Sequence, residues 1–172
     1  MKSISDRILA GLVVVLVCAL GWKVSGSLEE PITKVGDKAP TFSVKTDSGK
    51  TITPASFGGK LLILNFWASW CQPCVAEMPS LETFQREFGP KGVVVLGVSV
   101  DTNQQLYRRF LDQFKVTFET SRDPDWDIAA KYGTFQLPET YIIDTSGHVV
   151  QKVIAAQNWM DPKWLESLNK LL

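Results

Sequence analysis

The sequence has few of the residues that bind zinc. Its 172 residues include three cysteines and one histidine, and one of the cysteines, Cys18, lies inside an apolar N-terminal run. A structural zinc site uses about four ligands and normally shows a second pair of Cys or His residues. Because Cys71 and Cys74 have no such second pair, the sequence does not favour a zinc site.

The sequence also has no excess of basic charge. Lysine plus arginine and aspartate plus glutamate each number 18, which gives a formal net charge of zero. Nucleic-acid binding needs a concentrated basic patch, so we expect no nucleic-acid partner. The chain shows no internal repeat or low-complexity tract, and its 45% hydrophobic content is enough for the core of one domain.

Two cysteines form a Cys-x-x-Cys motif, Cys71-Gln72-Pro73-Cys74, between a predicted strand at 61–66 and a predicted helix at 71–88. This context is typical of a redox motif. Unpaired N–H groups and the positive dipole at a helix start stabilise a thiolate, which is the form that attacks disulfides. Cys74 lies one turn later and can close an intramolecular disulfide. No cofactor beyond this redox-active disulfide is expected.

The first 24 residues are predicted to be a membrane anchor or a signal peptide. Lys2 and Arg7 precede an uncharged apolar run at 8–22. Fifteen helical residues span about 22 Å, less than the hydrocarbon core of about 30 Å, but flanking residues can extend an anchor. Ala19-Leu20-Gly21 instead suits cleavage by a signal peptidase. In both cases the rest of the chain lies outside the cytoplasm, either tethered at the periplasmic face of a bacterial membrane or exported as a soluble protein.

Residues 25–38 are predicted to be a linker and residues 39–172 a single α/β domain. The order of its elements predicts a mixed central β-sheet flanked by helices. The predicted elements are an N-terminal hairpin across 42–53, strands at 61–66, 93–100, 139–143 and 149–154, and helices at 71–88, 103–114, 126–132 and 162–172.

Four stretches carry a family resemblance: Gly36-Asp37-Lys38-Ala39-Pro40, Leu64-Asn65-Phe66-Trp67-Ala68-Ser69-Trp70-Cys71-Gln72-Pro73-Cys74, Glu77-Met78-Pro79 and Leu137-Pro138-Glu139-Thr140. Through them the chain resembles the thioredoxin-like superfamily, specifically its extracytoplasmic TlpA/ResA-like branch, from about Gly36 to the C-terminus. The resemblance implies a thioredoxin-like fold and a thiol:disulfide oxidoreductase activity. The first stretch also occurs in peroxiredoxins, but no Pro-x-x-x-Thr-x-x-Cys pattern surrounds Cys71, so a peroxidase is not expected.

The resemblance implies that Pro138 is cis and lies beside the dithiol. Backbone groups around such a proline can pair with an extended substrate. Leu137 and Pro138 are therefore candidate substrate-binding residues. Trp70, next to Cys71 in the active-site turn, is a further candidate as part of the substrate-facing surface. From the residues alone, an ordinary strand-edge proline is the alternative.

Glu77 lies three residues after Cys74 on the same helix face. Most thioredoxins place a buried acid on the preceding strand, where this chain has Asn65. The resemblance implies that the proton-transfer acid has moved to Glu77. A partly buried carboxyl has a raised pKa and can take the proton of Cys74. The alternative is a solvated helix glutamate.

Glu139 directly follows the candidate cis-proline. The Pro-Glu-Thr sequence is similar to CcmG/DsbE members of the branch, which serve cytochrome c maturation, whereas Glu77 with Pro79 is shared with ResA-like members. Glu139 is a further candidate substrate-binding residue, and simple exposure is the alternative.

The resemblance implies a membrane-tethered, monomeric reductant of protein disulfides. Its expected substrates are disulfides in apocytochrome c or in respiratory copper-site proteins, and its expected electron donor is a membrane protein of the CcdA/DsbD type. A thiol oxidant or isomerase is one alternative. A copper or zinc carrier that uses Cys71 and Cys74 as ligands is another.

Overall fold

The computed structural model describes residues 4–25 and 32–172. The chain divides into a unit that ends at Pro31 and a compact unit at Ile32–Leu172. In the first unit, helix α1 covers Ile4–Ser25, and the apolar side chains of residues 12–17 are exposed. Among the described residues, no helix has both the length and the apolar character needed to cross a membrane. Residues 26–31 of the predicted linker lie outside the described part of the chain.

The compact unit begins earlier than the predicted domain boundary at residue 39. Thr33 N–H donates to the carbonyl of Tyr132 over 3.1 Å, and Gly36 N–H donates to the carbonyl of Val149 over 2.8 Å. Lys38 also forms an isolated bridge with His148. Residues 33–38, which were predicted to be linker, are therefore attached to the domain by backbone hydrogen bonds.

The predicted N-terminal hairpin is confirmed. Strands β1 (Val44–Lys45) and β2 (Thr51–Ile52) pair antiparallel, with Val44 opposite Ile52. The turn between them contains Gly49 at φ 88°, a backbone conformation that glycine adopts without a steric penalty.

The central sheet is mixed, as predicted. Strands β3, β4 and β5 run parallel, β6 is antiparallel to β3, and β7 is antiparallel to β6, in the spatial order β5-β4-β3-β6-β7. The strand β5 was not predicted. The bounds are β3 Leu61–Trp67, β4 Val93–Ser99, β5 Glu119–Arg122, β6 Glu139–Asp144 and β7 Val149–Ile154.

Helices follow the strands at the predicted places. Asn103 and Asp161 cap two of them, because each side-chain oxygen accepts from two backbone N–H groups of the first helical turn. The helices are α2 Gln72–Phe88, α3 Gln104–Phe114, α4 Asp127–Tyr132 and α5 Pro162–Asn169, and a 3₁₀ turn at Gly89–Lys91 follows α2.

Strand β3 is buried along its whole length because both faces of the sheet are covered. Trp67 stacks on Tyr107 of α3, with ring centroids 5.8 Å apart. Phe66 packs against Tyr132 of α4, with centroids 5.7 Å apart. Side chains alternate along a strand, so Asn65 lies on the same face as Trp67 and Phe66 on the opposite face.

Candidate active site

The two cysteines of the motif lie where β3 passes into α2. Cys71 is the N-cap of α2, and its N–H donates to the carbonyl of Ala68 over 3.2 Å. The Cys71 sulfur accepts from the backbone N–H of Cys74 over 3.2 Å and is bonded to the Cys74 sulfur at 2.07 Å. Pro73 lies in the first turn, where no intrahelical N–H donor is needed. The predicted strand-to-helix position of the dithiol is confirmed.

The two sulfur-bearing residues differ in their access to solvent. Cys71 is 5% exposed and Cys74 is fully buried. Trp70, immediately before them, is 62% exposed. An incoming disulfide therefore meets Cys71 first, next to an exposed aromatic surface.

The Leu137–Pro138 peptide bond is cis, which confirms the prediction. In the antiparallel pairing of β3 with β6, Phe66 lies opposite Glu139. The cis bond therefore lies at the edge of the sheet where β3 ends and the Ala68–Cys71 turn begins. Pro138 is buried and Leu137 is half-buried.

Phe135 is a residue of this edge that the sequence reasoning missed. It lies between α4 and β6, two residues before Leu137, and is 70% exposed. Within residues 32–172, Phe135 and Trp70 have the two most exposed large hydrophobic side chains. The sequence could have indicated this exposed side chain, because Phe135 lies in the short segment between Gly133 and Pro138, where no predicted helix or strand would bury it.

Glu77 is buried, with 3% of its surface exposed, so it is not a solvated helix glutamate. Its Oε1 accepts from Asn65 Nδ2 over 2.9 Å, and its Oε2 accepts from the backbone N–H of Gln157 over 3.0 Å. Burial, the largest effect, raises the pKa of Glu77 above its ordinary value of 4.5, and the donors Gln157 and Asn65 partly oppose this rise. Burial therefore makes this carboxyl hold its proton more tightly than an exposed glutamate does.

The segment 155–158, between β7 and α5, covers Glu77. Ala155 has φ 80°, a left-handed conformation that is unfavourable for a non-glycine residue. Its N–H donates to the carbonyl of Pro138 over 3.1 Å. An open cavity of about 430 Å³ lies against Glu77 and is lined by α2 and this segment. The segment therefore contacts both the cis-proline and the buried acid.

Glu139 does not lie at the substrate-facing surface. It is fully buried, and its Oε1 accepts from the hydroxyl of Tyr141 over 3.0 Å and lies 2.7 Å from Lys152 Nζ. The structure therefore contradicts the prediction that the Glu139 side chain contacts substrate and also the alternative that it is simply exposed. An ion pair with Lys152 of the neighbouring strand β7 holds the carboxylate in the interior. Within the described chain, Glu139 Oε2 has no hydrogen-bond partner.

A Cys-x-x-Cys disulfide at the start of a helix, beside a cis-proline and on a mixed sheet, defines a thioredoxin-like thiol-disulfide oxidoreductase. Residues 35–152 match the sequence profile of the AhpC/TSA family, and the chain belongs to this family. Within it, the relatives identify a ResA-like enzyme.

The chain is similar to the thioredoxin-like protein YneN of Bacillus subtilis, with 38% identity over 150 residues that cover 84% of this chain and 87% of YneN. It is 32% identical to the thiol-disulfide oxidoreductase ResA of Bacillus subtilis over 146 residues, 83% of this chain and 81% of ResA. The crystal structure of StoA from Bacillus subtilis superposes with a TM-score of 0.65 at 25% identity and covers 78% of this chain and 98% of StoA. These likenesses support the TlpA/ResA-like resemblance and the thiol-disulfide oxidoreductase activity.

Proposed function

We propose that this enzyme reduces protein disulfides outside the cytoplasm, with Cys71 as nucleophile and Cys74 as resolving thiol. The observation that carries the assignment is the difference in burial between the two residues at the start of α2. Cys71 has an exposed edge, whereas Cys74 is enclosed. The helix N-terminus also stabilises a thiolate at Cys71, the capping residue.

The exchange proceeds in two steps, starting from the reduced dithiol. The Cys71 thiolate attacks one sulfur of the target disulfide, which releases the other target sulfur as a thiolate and leaves a mixed disulfide. Cys74 then loses its proton and attacks the Cys71 sulfur, which releases the second target thiolate. The target gains two electrons, and the enzyme ends with the Cys71–Cys74 disulfide. A dithiol donor restores the reduced enzyme by the reverse exchange.

Glu77 is proposed to accept the proton of Cys74 in the second step. It lies on the same face of α2, one turn further along, and its burial raises its pKa. A base whose pKa is close to the working pH transfers protons most effectively. The cavity that lies against Glu77 then provides a route for the proton to solvent.

The direction of electron flow is tested by the reduction potential. A reductant should have a potential near that of thioredoxin, about −270 mV, whereas a strong oxidant such as DsbA lies near −120 mV. Equilibration of the Cys71–Cys74 pair in buffers of defined redox ratio, read by thiol alkylation, gives this value. A potential near −120 mV would replace the reductant with the oxidant alternative.

The proposed targets are disulfides in apocytochrome c or in respiratory copper-site proteins, with a membrane donor of the CcdA/DsbD type. Support comes from the ResA-like relatives and from the Leu137-Pro138-Glu139-Thr140 sequence. A peptide with an oxidised Cys-x-x-Cys-His segment should be reduced faster than the same peptide with the histidine replaced. Equal rates for both peptides would remove apocytochrome c as the preferred substrate.

The location outside the cytoplasm is proposed from the N-terminal sequence. Lys2 and Arg7 precede the apolar run at 8–22, the order found in anchors and export signals. A membrane-impermeant thiol reagent applied to intact cells should label Cys71 in the reduced enzyme. Labelling only after lysis would place the domain in the cytoplasm and reject this part of the proposal.

A further inference from the structure

The side chain of Asn65 in β3 forms hydrogen bonds with both α2 and β6. Its Nδ2 donates to Glu77 Oε1 on α2 and to Thr140 Oγ1 on β6, each over 2.9 Å. The side chain is fully buried. Both amide hydrogens are therefore used, one by the buried acid and one by the strand that follows cis-Pro138.

The other end of the same amide lacks a partner. Within the described part of the chain, Asn65 Oδ1 is buried and accepts no hydrogen bond. A buried carbonyl without a donor lowers stability, whereas an apolar side chain of similar size would fill this position in β3 without that cost. Packing alone therefore does not explain why an amide side chain occupies this position. The two hydrogen bonds that the amide donates, to Glu77 and Thr140, do explain it.

The surroundings of Glu77 make its donors decisive. Two groups donate hydrogen bonds to its carboxylate, the Asn65 amide of β3 and the backbone N–H of Gln157. The indole of Trp159 lies near the carboxylate without forming a hydrogen bond, and Cys74 lies on the same face of α2. In the disulfide form none of these groups carries a charge. The proton affinity and the orientation of the carboxylate therefore depend on its burial and on these few polar contacts.

We propose that Asn65 is a positioning residue for the resolving step, which fixes the Glu77 carboxylate on the Cys74 face of α2 and links it to strand β6. The inference rests on the proposed role of Glu77. The Asn65 N–H favours the ionised carboxylate, which is the form that accepts the Cys74 proton. Asn65 itself transfers neither a proton nor an electron.

The test measures resolution of the mixed disulfide by full-length reduced enzyme in single-turnover reactions with a disulfide peptide, from about pH 5 to 9. Asn65→Leu should slow resolution about tenfold and move its pH midpoint upward, since the donor that favours ionised Glu77 is lost. In the Glu77→Gln background the same substitution should add less than a twofold change. An equal slowing in both backgrounds would show that Asn65 acts only through the core and would overturn the inference.

Thr140→Val is the matched control, because it removes the second acceptor of the Asn65 amide and leaves the contact with Glu77. It should keep the wild-type pH midpoint. A shift as large as that of Asn65→Leu would contradict the proposal. A wild-type enzyme that reduces no protein disulfide would instead reject the proposed function itself, so the two failures are distinguishable.

Asn65→Asp keeps the test decisive if Asn65→Leu does not fold. It preserves the shape of the side chain but replaces the N–H donor to Glu77 with a second carboxyl group. A like charge beside Glu77 disfavours its ionised form, so the pH midpoint of resolution should move upward, as in Asn65→Leu. An unchanged midpoint would overturn the inference.

Discussion

Lys152 Nζ lies 2.7 Å from Glu139 Oε1 and pairs a carboxylate that has no exposed surface. Removing one member of a buried ion pair leaves the other charge uncompensated. We expect Lys152→Met to lower the free energy of unfolding by about 3–5 kcal/mol, measured by urea denaturation at neutral pH. Lys170→Met, which breaks the exposed pair with Glu166, should change it by less than about 0.5 kcal/mol. Equal losses of unfolding free energy in the two variants would mean that the buried ion pair stabilises the fold no more than the exposed one.

The proposed roles of Cys71 as nucleophile and Cys74 as resolving thiol predict that only one of their serine variants accumulates mixed disulfides. Cys74→Ser leaves the nucleophile and removes the resolving thiol, so it should accumulate mixed disulfides with substrate proteins. Cys71→Ser should trap none, because the remaining thiol of the motif, Cys74, is fully buried. Both variants are made in a Cys18→Ser background, which removes the exposed thiol outside the motif. Non-reducing electrophoresis after acid quenching gives the measurement. Trapping by Cys71→Ser instead would reverse the assignment of nucleophile and resolver.

The raised pKa of Glu77 predicts a pH dependence of stability. An acid whose pKa is higher in the folded state binds its proton more tightly there, so folding gains stability as the pH falls. As the pH rises from about 4.5 through the folded pKa, wild type should lose stability relative to Glu77→Gln. Urea denaturation of the oxidised forms isolates this group, since the disulfide cysteines do not titrate. A difference between the two proteins that stays constant with pH would mean that burial does not raise this pKa.

The exposed aromatic pair predicts a contribution to substrate binding. Trp70→Ala and Phe135→Ala should each raise KM for a disulfide-bearing polypeptide about tenfold, the effect of losing one buried aromatic contact. The rate with a small aromatic disulfide should change little, because such a molecule reaches Cys71 without covering this surface. Leu171→Ala is the control, since Leu171 is exposed and its neighbour Leu172 contacts Lys60 just before the start of β3, the end of the strand opposite to the dithiol. An effect of the same size from Leu171→Ala would show that the change is not local.

The strongly patterned parts of the fold could be predicted from the sequence. The continuous apolar run of β3 and the Cys-x-x-Cys motif identified the strand, the helix start and the dithiol together. Strand β5, Glu119–Arg122, escaped prediction because its short, polar sequence has no strand periodicity. It forms by pairing with β4 from residue 119 onward, a tertiary contact that no local pattern records.

The polar partners within the site could not be predicted for the same reason. Glu77 was identified through its spacing from Cys74 together with the family resemblance, but its donors come from Asn65 and Gln157, 12 and 80 residues away in the sequence. Glu139 was misplaced because its position next to Pro138 indicated the surface. Its burial depends on Lys152 in the adjacent strand, where Lys152 lies opposite Tyr141.

Glu77 and Glu139 lie on opposite faces of the central sheet. Glu77 is bound to Asn65 and Glu139 lies opposite Phe66, and these consecutive residues of β3 point to different faces. Glu77 is bound to Asn65 and Gln157, whereas Glu139 is bound to Tyr141 and Lys152, so they share no hydrogen-bond partner. Both acids are nevertheless tied to β6, where Glu139 lies next to Thr140, the second acceptor of the Asn65 amide. Substitutions at the two acids are therefore expected to couple, and a double-mutant cycle measures that coupling when redox potential and stability are adjusted in one protein.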